Sequence, residues 1–123
     1  MQNPVFLNLF QIKFPVTAII SILHRISGVI IFLAMPFIML WLYYILLSDL
    51  SFARYLALSD VVWIKTFYFL ILVALSYHAI AGLRHIYHDF SGNHSLVGAR
   101  VSAWLTLVVA LLWTAILFYR VFF

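Results

Sequence analysis

Ser76-Tyr77-His78-Ala79-Ile80-Ala81-Gly82-Leu83-Arg84-His85-Ile86-Tyr87-His88-Asp89 is the stretch on which the reading of this chain turns. It gathers three of the five histidines, an arginine and an aspartate into a sequence that is 67% hydrophobic and 8% charged. At about 100° per residue, His78, Ala81, Gly82 and His85 share one helical face, spaced i, i+3, i+4 and i+7. Two histidines roughly 10 Å apart along the axis flank a notch with almost no side chain. Such a face can receive something flat and large.

The bulk composition says where that face lies. Soluble domains are about 45–50% apolar and about 25% charged. This 123-residue chain, with a mean hydropathy of +1.18, is far from both and reads as a membrane protein. It has no cysteine, which excludes disulfides, thiolate ligation of an iron–sulfur cluster and a thiol nucleophile. The net charge of +4 comes from scattered basic residues that form no stripe suited to nucleic acid. In a membrane protein such an excess sets orientation instead. Met1-Gln2-Asn3-Pro4-Val5-Phe6 lacks the charged start of a secretory signal and the Arg/Ser richness of a transit peptide, so the chain is expected to be the mature protein.

Outward from the quoted stretch, the apolar run over 61–87 predicts a spanning helix, with Lys65 near its start and able to snorkel. An earlier span is expected over 20–47, opening between Val16 and Ser21. Its uncharged part, from Ile26 to Leu47, is about the length that crosses roughly 30 Å of hydrocarbon. Pro36 is expected to kink it. Residues 1–15 mix Phe6, Leu9, Phe10 and Phe14 with Asn8, Gln11 and Lys13, and predict an amphipathic segment on the membrane surface, ending at Phe14-Pro15. Ser48, Asp49, Arg54 and Asp60 mark 48–60 as a short connection, and Asp89, Gly92, Asn93, His94 and Gly98 mark 88–100 as a polar loop. A third span is expected over 101–122, with Trp104, Trp113 and Tyr119 toward its ends as interfacial belts. The fold class is therefore an all-α membrane protein. It has three transmembrane helices, a short N-terminal surface segment and a single domain over 1–123, and forms part of a heteromeric helix bundle.

Lys13, Arg25, Arg84 and Arg100 fall on one side of this topology, and Arg54, Lys65 and Arg120 on the other. That bias predicts a cytoplasmic N-terminus. Asn93-His94-Ser95 has the form of a glycosylation sequon, but on this orientation it faces the cytoplasm and carries no weight.

The first span has a polar face of its own: Ser21, His24, Arg25 and Gly28, again at i, i+3, i+4 and i+7. An antiparallel hairpin brings it to the depth of Arg84 and His85. A charged side chain costs about 2.5–3.5 kcal/mol at a helix centre and usually marks a site. Arg25 alone would read as a snorkelling anchor; beside Ser21, His24 and His85 it outlines a pocket for something anionic or oxygen-rich. His78 lies too deep to reach water. It is either a neutral histidine bonded to a neighbouring helix or a metal ligand. Gly82 on the same face has no helix-propensity reason to be there, though plain helix packing also uses small residues. Together these features suit a buried haem: an imidazole for the iron, a notch for the macrocycle, and Arg or His for the propionates. His85 cannot supply the second axial ligand from the same face of the same helix. Either His24 or another chain must.

Ser21-Ile22-Leu23-His24-Arg25-Ile26-Ser27-Gly28, followed by Tyr77-His78, Gly82-Leu83-Arg84-His85 and Asp89-Phe90, resembles the cytochrome b membrane-anchor subunit of succinate dehydrogenase (respiratory complex II), the larger of its two anchors. The Phe14-Pro15 start and the three spans agree with it, so the resemblance covers nearly the whole chain. It implies a four-subunit enzyme of the bacterial inner membrane, linking the tricarboxylic acid cycle to electron transport. In it a flavoprotein oxidises succinate, an iron–sulfur subunit relays electrons, and two anchors hold haem b and reduce ubiquinone. By the resemblance, His78 is the axial ligand of the haem iron, with its trans partner on the second anchor. His24, Arg25 and His85 lie in the propionate region, Gly82 is the notch, and Ser21 and Arg25 fall on quinone-site positions. Asn3 stands before Pro4 where the family pattern has a basic residue. His88 lies outside the motif and is expected to be a solvated interfacial residue. The competing readings are a non-redox structural anchor with His78 merely packed, and a small transporter subunit whose histidines relay protons. Of the three, only the electron-transfer anchor expects a bis-histidine b-type spectrum on reduction with dithionite.

Overall fold

Pro15, extended at φ −64° and ψ 151°, caps the first helix, α1 (Val16–Leu46), in a computed structural model that describes residues 14–91 and 95–123. Its carbonyl accepts from the amides of Ala18 and Ile19 at 2.9 and 3.2 Å. Proline has no amide proton to leave unbonded at a helix start, so the first turn closes here. That is the early edge of the expected opening between Val16 and Ser21, and it places Ser21 well inside the helix. The helix continues through Pro36. The surface segment expected over 1–15 lies outside the described residues apart from Phe14 and Pro15, as do Asn93 and His94.

The connection expected over 48–60 is instead an 11-residue helix, α2 (Asp49–Ser59). Ser48 and Ser51 build a reciprocal capping box: the Ser51 amide donates to Ser48 Oγ at 3.2 Å, and the Ser48 amide donates to Ser51 Oγ at 3.0 Å. Serine at the third helical position does what glutamate or glutamine does in the usual pattern. The polar residues that suggested a loop are thus the start signal of a helix.

The two later spans also outrun their apolar cores. α3 covers Val62–Ser91 and α4 covers Leu96–Phe122, so most of the loop expected over 88–100 is helical. Ser95 caps α4 by accepting from the Gly98 amide at 3.1 Å. A Cβ on Gly98 would come within 2.8 Å of that Ser95 oxygen, so this glycine serves the cap rather than a loop. Hydropathy marks the length of helix inside hydrocarbon, whereas the backbone keeps its helical bonds on into the headgroup region. At the other end of α3, Lys65 pairs with Asp60 at 2.9 Å.

Contacts run in opposite directions along adjacent helices. His24 lies against His85 and Trp41 against Tyr68, each pair with centroids 5.2 Å apart, so α1 and α3 are antiparallel. Ser76 pairs with Trp113 and Arg84 with Ser102, so α3 and α4 are too. The core is a small knot of Ile20, Ala81 and Ala103, each 0% exposed, with Val16, Tyr77 and Leu107 packed on it. Alanines let helix backbones approach closely where lipid offers no hydrophobic drive. In the apolar windows of α1, α3 and α4, only 0%, 11% and 17% of residues are buried. The apolar side chains therefore face outward, to lipid or to other chains. This is a multi-pass membrane protein with three helices long and apolar enough to cross.

Candidate functional site

The polar faces of α1 and α3 meet around His78. Its Nδ1 lies 3.1 Å from the His24 carbonyl and 3.1 Å from Ser27 Oγ. Ser27 spends its own proton on that carbonyl, at 2.8 Å. A carbonyl only accepts, and a hydroxyl whose proton is committed can also only accept. The hydrogen-bond network therefore assigns the ring proton to Nδ1 and leaves Nε2 with its lone pair. Nε2 makes no hydrogen bond among the described residues. A backbone carbonyl fixing one ring nitrogen so that the other can coordinate is the arrangement found behind metal-bound histidines.

His24 stacks face to face on His78, with centroids 4.1 Å apart and planes 17° off parallel. The two rings are in contact, with no room for another group between them. His24 Nε2 is buried with no hydrogen-bond partner. Such an orphan costs about 1–3 kcal/mol unless an acceptor or donor meets it. His85 tilts against the same ring at 45°. Among the described residues, no three acidic or histidine side chains converge to hold a bare metal ion.

The glycines divide unequally. A Cβ on Gly28 would stand 3.0 Å from His78 Cε1 and 3.4 Å from Nδ1, so the close approach of α1 to this imidazole needs a glycine there. A Cβ on Gly82 would stand 3.5 Å from His24 Nε2, an ordinary contact. The notch read from Gly82 thus lies under the His24 ring, and the tighter cradle is at Gly28.

Ser21 is half-buried on the outer side of this group, and its hydroxyl makes no hydrogen bond among the described residues. Ser27, Thr106 and Thr114, by contrast, bond back to carbonyls one turn earlier. Arg25 is exposed and forms no ion pair among the described residues. Arg84 does not join the histidines; it turns to α4, donating from Nε to Ser102 Oγ and from Nη2 to the Ala99 carbonyl, both at 3.1 Å. His88 is half-buried rather than solvated, with Nε2 2.7 Å from Ser102 Oγ, because α3 continues past the expected end and carries it against α4. Sequence reasoning passed over Ser27 as a site residue. Its signal was the Ser27-Gly28 pair three and four positions after His24, on the face that meets His78.

The family model described as succinate dehydrogenase/fumarate reductase transmembrane subunit matches residues 1–118. The succinate dehydrogenase cytochrome b556 subunit of Coxiella burnetii is 37% identical over 110 residues, which are 89% of this chain and 88% of the relative. The protein of the same name from Rickettsia prowazekii is 30% identical over 120 residues, 94% and 90% of the two chains. That from Rickettsia felis is 28% identical over 116 residues, with the same shares. Since the match runs nearly end to end and takes in both histidine-bearing helices, the chain belongs to the succinate dehydrogenase/fumarate reductase transmembrane subunit family.

Proposed function

We propose that this chain is the anchor of a succinate:quinone oxidoreductase that holds haem b together with a second anchor subunit, forms part of the ubiquinone site, and ties the flavoprotein and iron–sulfur subunits to the membrane. The observation that carries the reading is the state of His78, with Nδ1 bonded to the His24 carbonyl and Ser27 and Nε2 left free. The haem b that the relatives' name, cytochrome b556, implies would fit these residues. His78 would bind its iron through Nε2, and the orphaned Nε2 of His24 asks for a partner such as a propionate oxygen. Arg25 and His85 complete the propionate region, while Gly28 and Gly82 keep the face shallow. When bound, the haem would supply a one-electron relay.

Quinone reduction takes two electrons and two protons and builds negative charge on the carbonyl oxygens as it proceeds. Ser21, with its hydroxyl uncommitted, donates a hydrogen bond to one carbonyl oxygen. Arg25, without an anionic partner in this chain's described residues, supplies the fixed positive charge that favours the developing oxyanion. The electrons arrive from the iron–sulfur partner. Ser21→Ala is expected to lower succinate–quinone reductase activity about tenfold or more, the scale of one hydrogen bond to a charged group. The reduced haem spectrum and succinate oxidation by an artificial acceptor upstream of the quinone should be spared. Unchanged quinone reduction across a range of quinone concentrations would leave Ser21 without a role.

Three spans would leave the termini on opposite sides, and the Lys/Arg bias supports a cytoplasmic N-terminus. A periplasm-active phosphatase fused after Phe123 is therefore expected to be active, and one inserted between Ser91 and Ser95 to be silent. The reverse pattern would invert the topology.

A further inference from the structure

Where α3 ends and α4 begins, Arg84 and His88 meet on one serine. Ser102 donates its proton to the Ala99 carbonyl at 3.1 Å, so its oxygen accepts from both Arg84 Nε and His88 Nε2. Arg84 also donates from Nη2 to Ala99. These bonds use two of the five guanidinium N–H groups, which leaves three. Every partner is neutral. Among the described residues the one ion pair is Lys65–Asp60, so a half-buried guanidinium sits within the third helix with no counter-charge. Asp89, next to His88 in sequence, is exposed and unpaired there as well.

Arg84, His88 and Ser102 line a partly open cavity of about 430 Å³, bounded on its other side by Ser95 and Gly98 at the start of α4. That end of a helix is the positive end of its dipole and adds to the same sign. Toward the membrane interior, a second cavity of about 510 Å³ lies between the same two helices, walled by Ile80, Val109, Leu112 and Ile116. Spacings of three and four residues continue from one to the other, through Ser102, Leu105, Val109 and Leu112 on α4 and through Arg84 and Ile80 on α3. The two cavities are in line. A free phosphate or a carboxylate would answer the charge and leave the apolar half empty. One class of molecule, native to this setting, carries a phosphate at one end and a hydrocarbon chain at the other.

We propose that the α3–α4 groove binds one anionic phospholipid, its phosphate on Arg84 beside His88 and Ser102, with an acyl chain along Ile80, Val109 and Leu112. The site is separate from the His24–His78 group, because Arg84 faces α4 while His78 faces α1. It does not depend on the haem or quinone assignments.

The test uses the detergent-purified complex with its copurifying subunits. After delipidation it is titrated with vesicles of phosphatidylglycerol, with vesicles of phosphatidylcholine, and with inorganic phosphate alone, reading lipid bound per complex and thermal stability. The wild type is expected to prefer phosphatidylglycerol. Arg84→Gln, which keeps an amide donor for Ser102 but no charge, is expected to bind it about fivefold more weakly and to leave phosphatidylcholine binding and the reduced haem spectrum unchanged. Equal phosphatidylglycerol binding by wild type and variant would overturn the proposal. So would an equal stability shift from inorganic phosphate, which would make the site one for a free anion. If Arg84→Gln does not assemble, Leu112→Trp fills the apolar half without touching Arg84 and is expected to lower lipid retention; unchanged retention refutes the acyl-chain path. A photoreactive residue at Leu105 is expected to crosslink to lipid, and crosslinking to another subunit instead would reassign the groove to a protein partner.

Discussion

Replacing His78 by alanine is expected to take the dithionite-reduced b-type absorbance of the purified complex down to baseline and to weaken assembly of the subunits. Two losses combine. On the proposed assignment the iron would lose its ligand from this chain, and the His24 carbonyl and Ser27 would lose the ring proton that ties α3 to α1. Ser27→Ala separates these effects. It leaves the Nδ1 bond to the carbonyl but removes half the support, so haem should bind about tenfold more weakly, at the mild end of what lost support behind a metal-bound histidine costs. The spectrum of the fraction that does bind should keep its bis-histidine form. A purely packed histidine behaves differently: His78→Ala would then lower stability while the absorbance stayed at its wild-type level per folded complex. That result would end the ligand assignment.

Gly28→Leu is expected to do comparable damage without deleting any ligand. Even the first added atom would sit 3.0 Å from His78 Cε1, on a ring already fixed by two hydrogen bonds and stacked on His24. A branched side chain that pushes the ring away would lengthen its 3.1 Å bond to the carbonyl. Overpacking of this kind costs about 1–3 kcal/mol, with haem binding falling alongside thermal stability. The contrast is Gly82→Ala. Its Cβ would meet His24 Nε2 at 3.5 Å, so the substitution should be tolerated and could recover up to about 1 kcal/mol of helix propensity. Gly82→Leu is different again, because the larger side chain must displace the His24 imidazole. The experiment is a thermal melt with a reduced spectrum on each variant. Wild-type values for Gly28→Leu would show that the cradle is not where the close approach places it.

The membrane class, the three spans and the face pairing His78 with His85 were legible in the sequence, because hydropathy and a 3.6-residue period are local properties written in consecutive residues. The stripe Ser21, His24, Arg25 and Gly28 was legible for the same reason, and with it the meeting of α1 and α3. Helix ends were not. α2 is started by Ser48 and Ser51 exchanging hydrogen bonds, and α3 runs on to Ser91 because backbone bonding persists where hydropathy fades. Nor could periodicity say which way a side chain turns once helices pack. Arg84 and His85 are neighbours in sequence, yet 100° of helical rotation sends Arg84 to Ser102 on α4 and His85 to His24 on α1. His88 follows Arg84. Only the packed bundle decided that His24 stacks on His78 instead of facing it, that Ser27 fixes which nitrogen carries the proton, and that Gly28 rather than Gly82 is the tight glycine. Those outcomes depend on the depth and rotation at which one helix meets another, and Ile20, Ala81 and Ala103 set both where the three long helices touch.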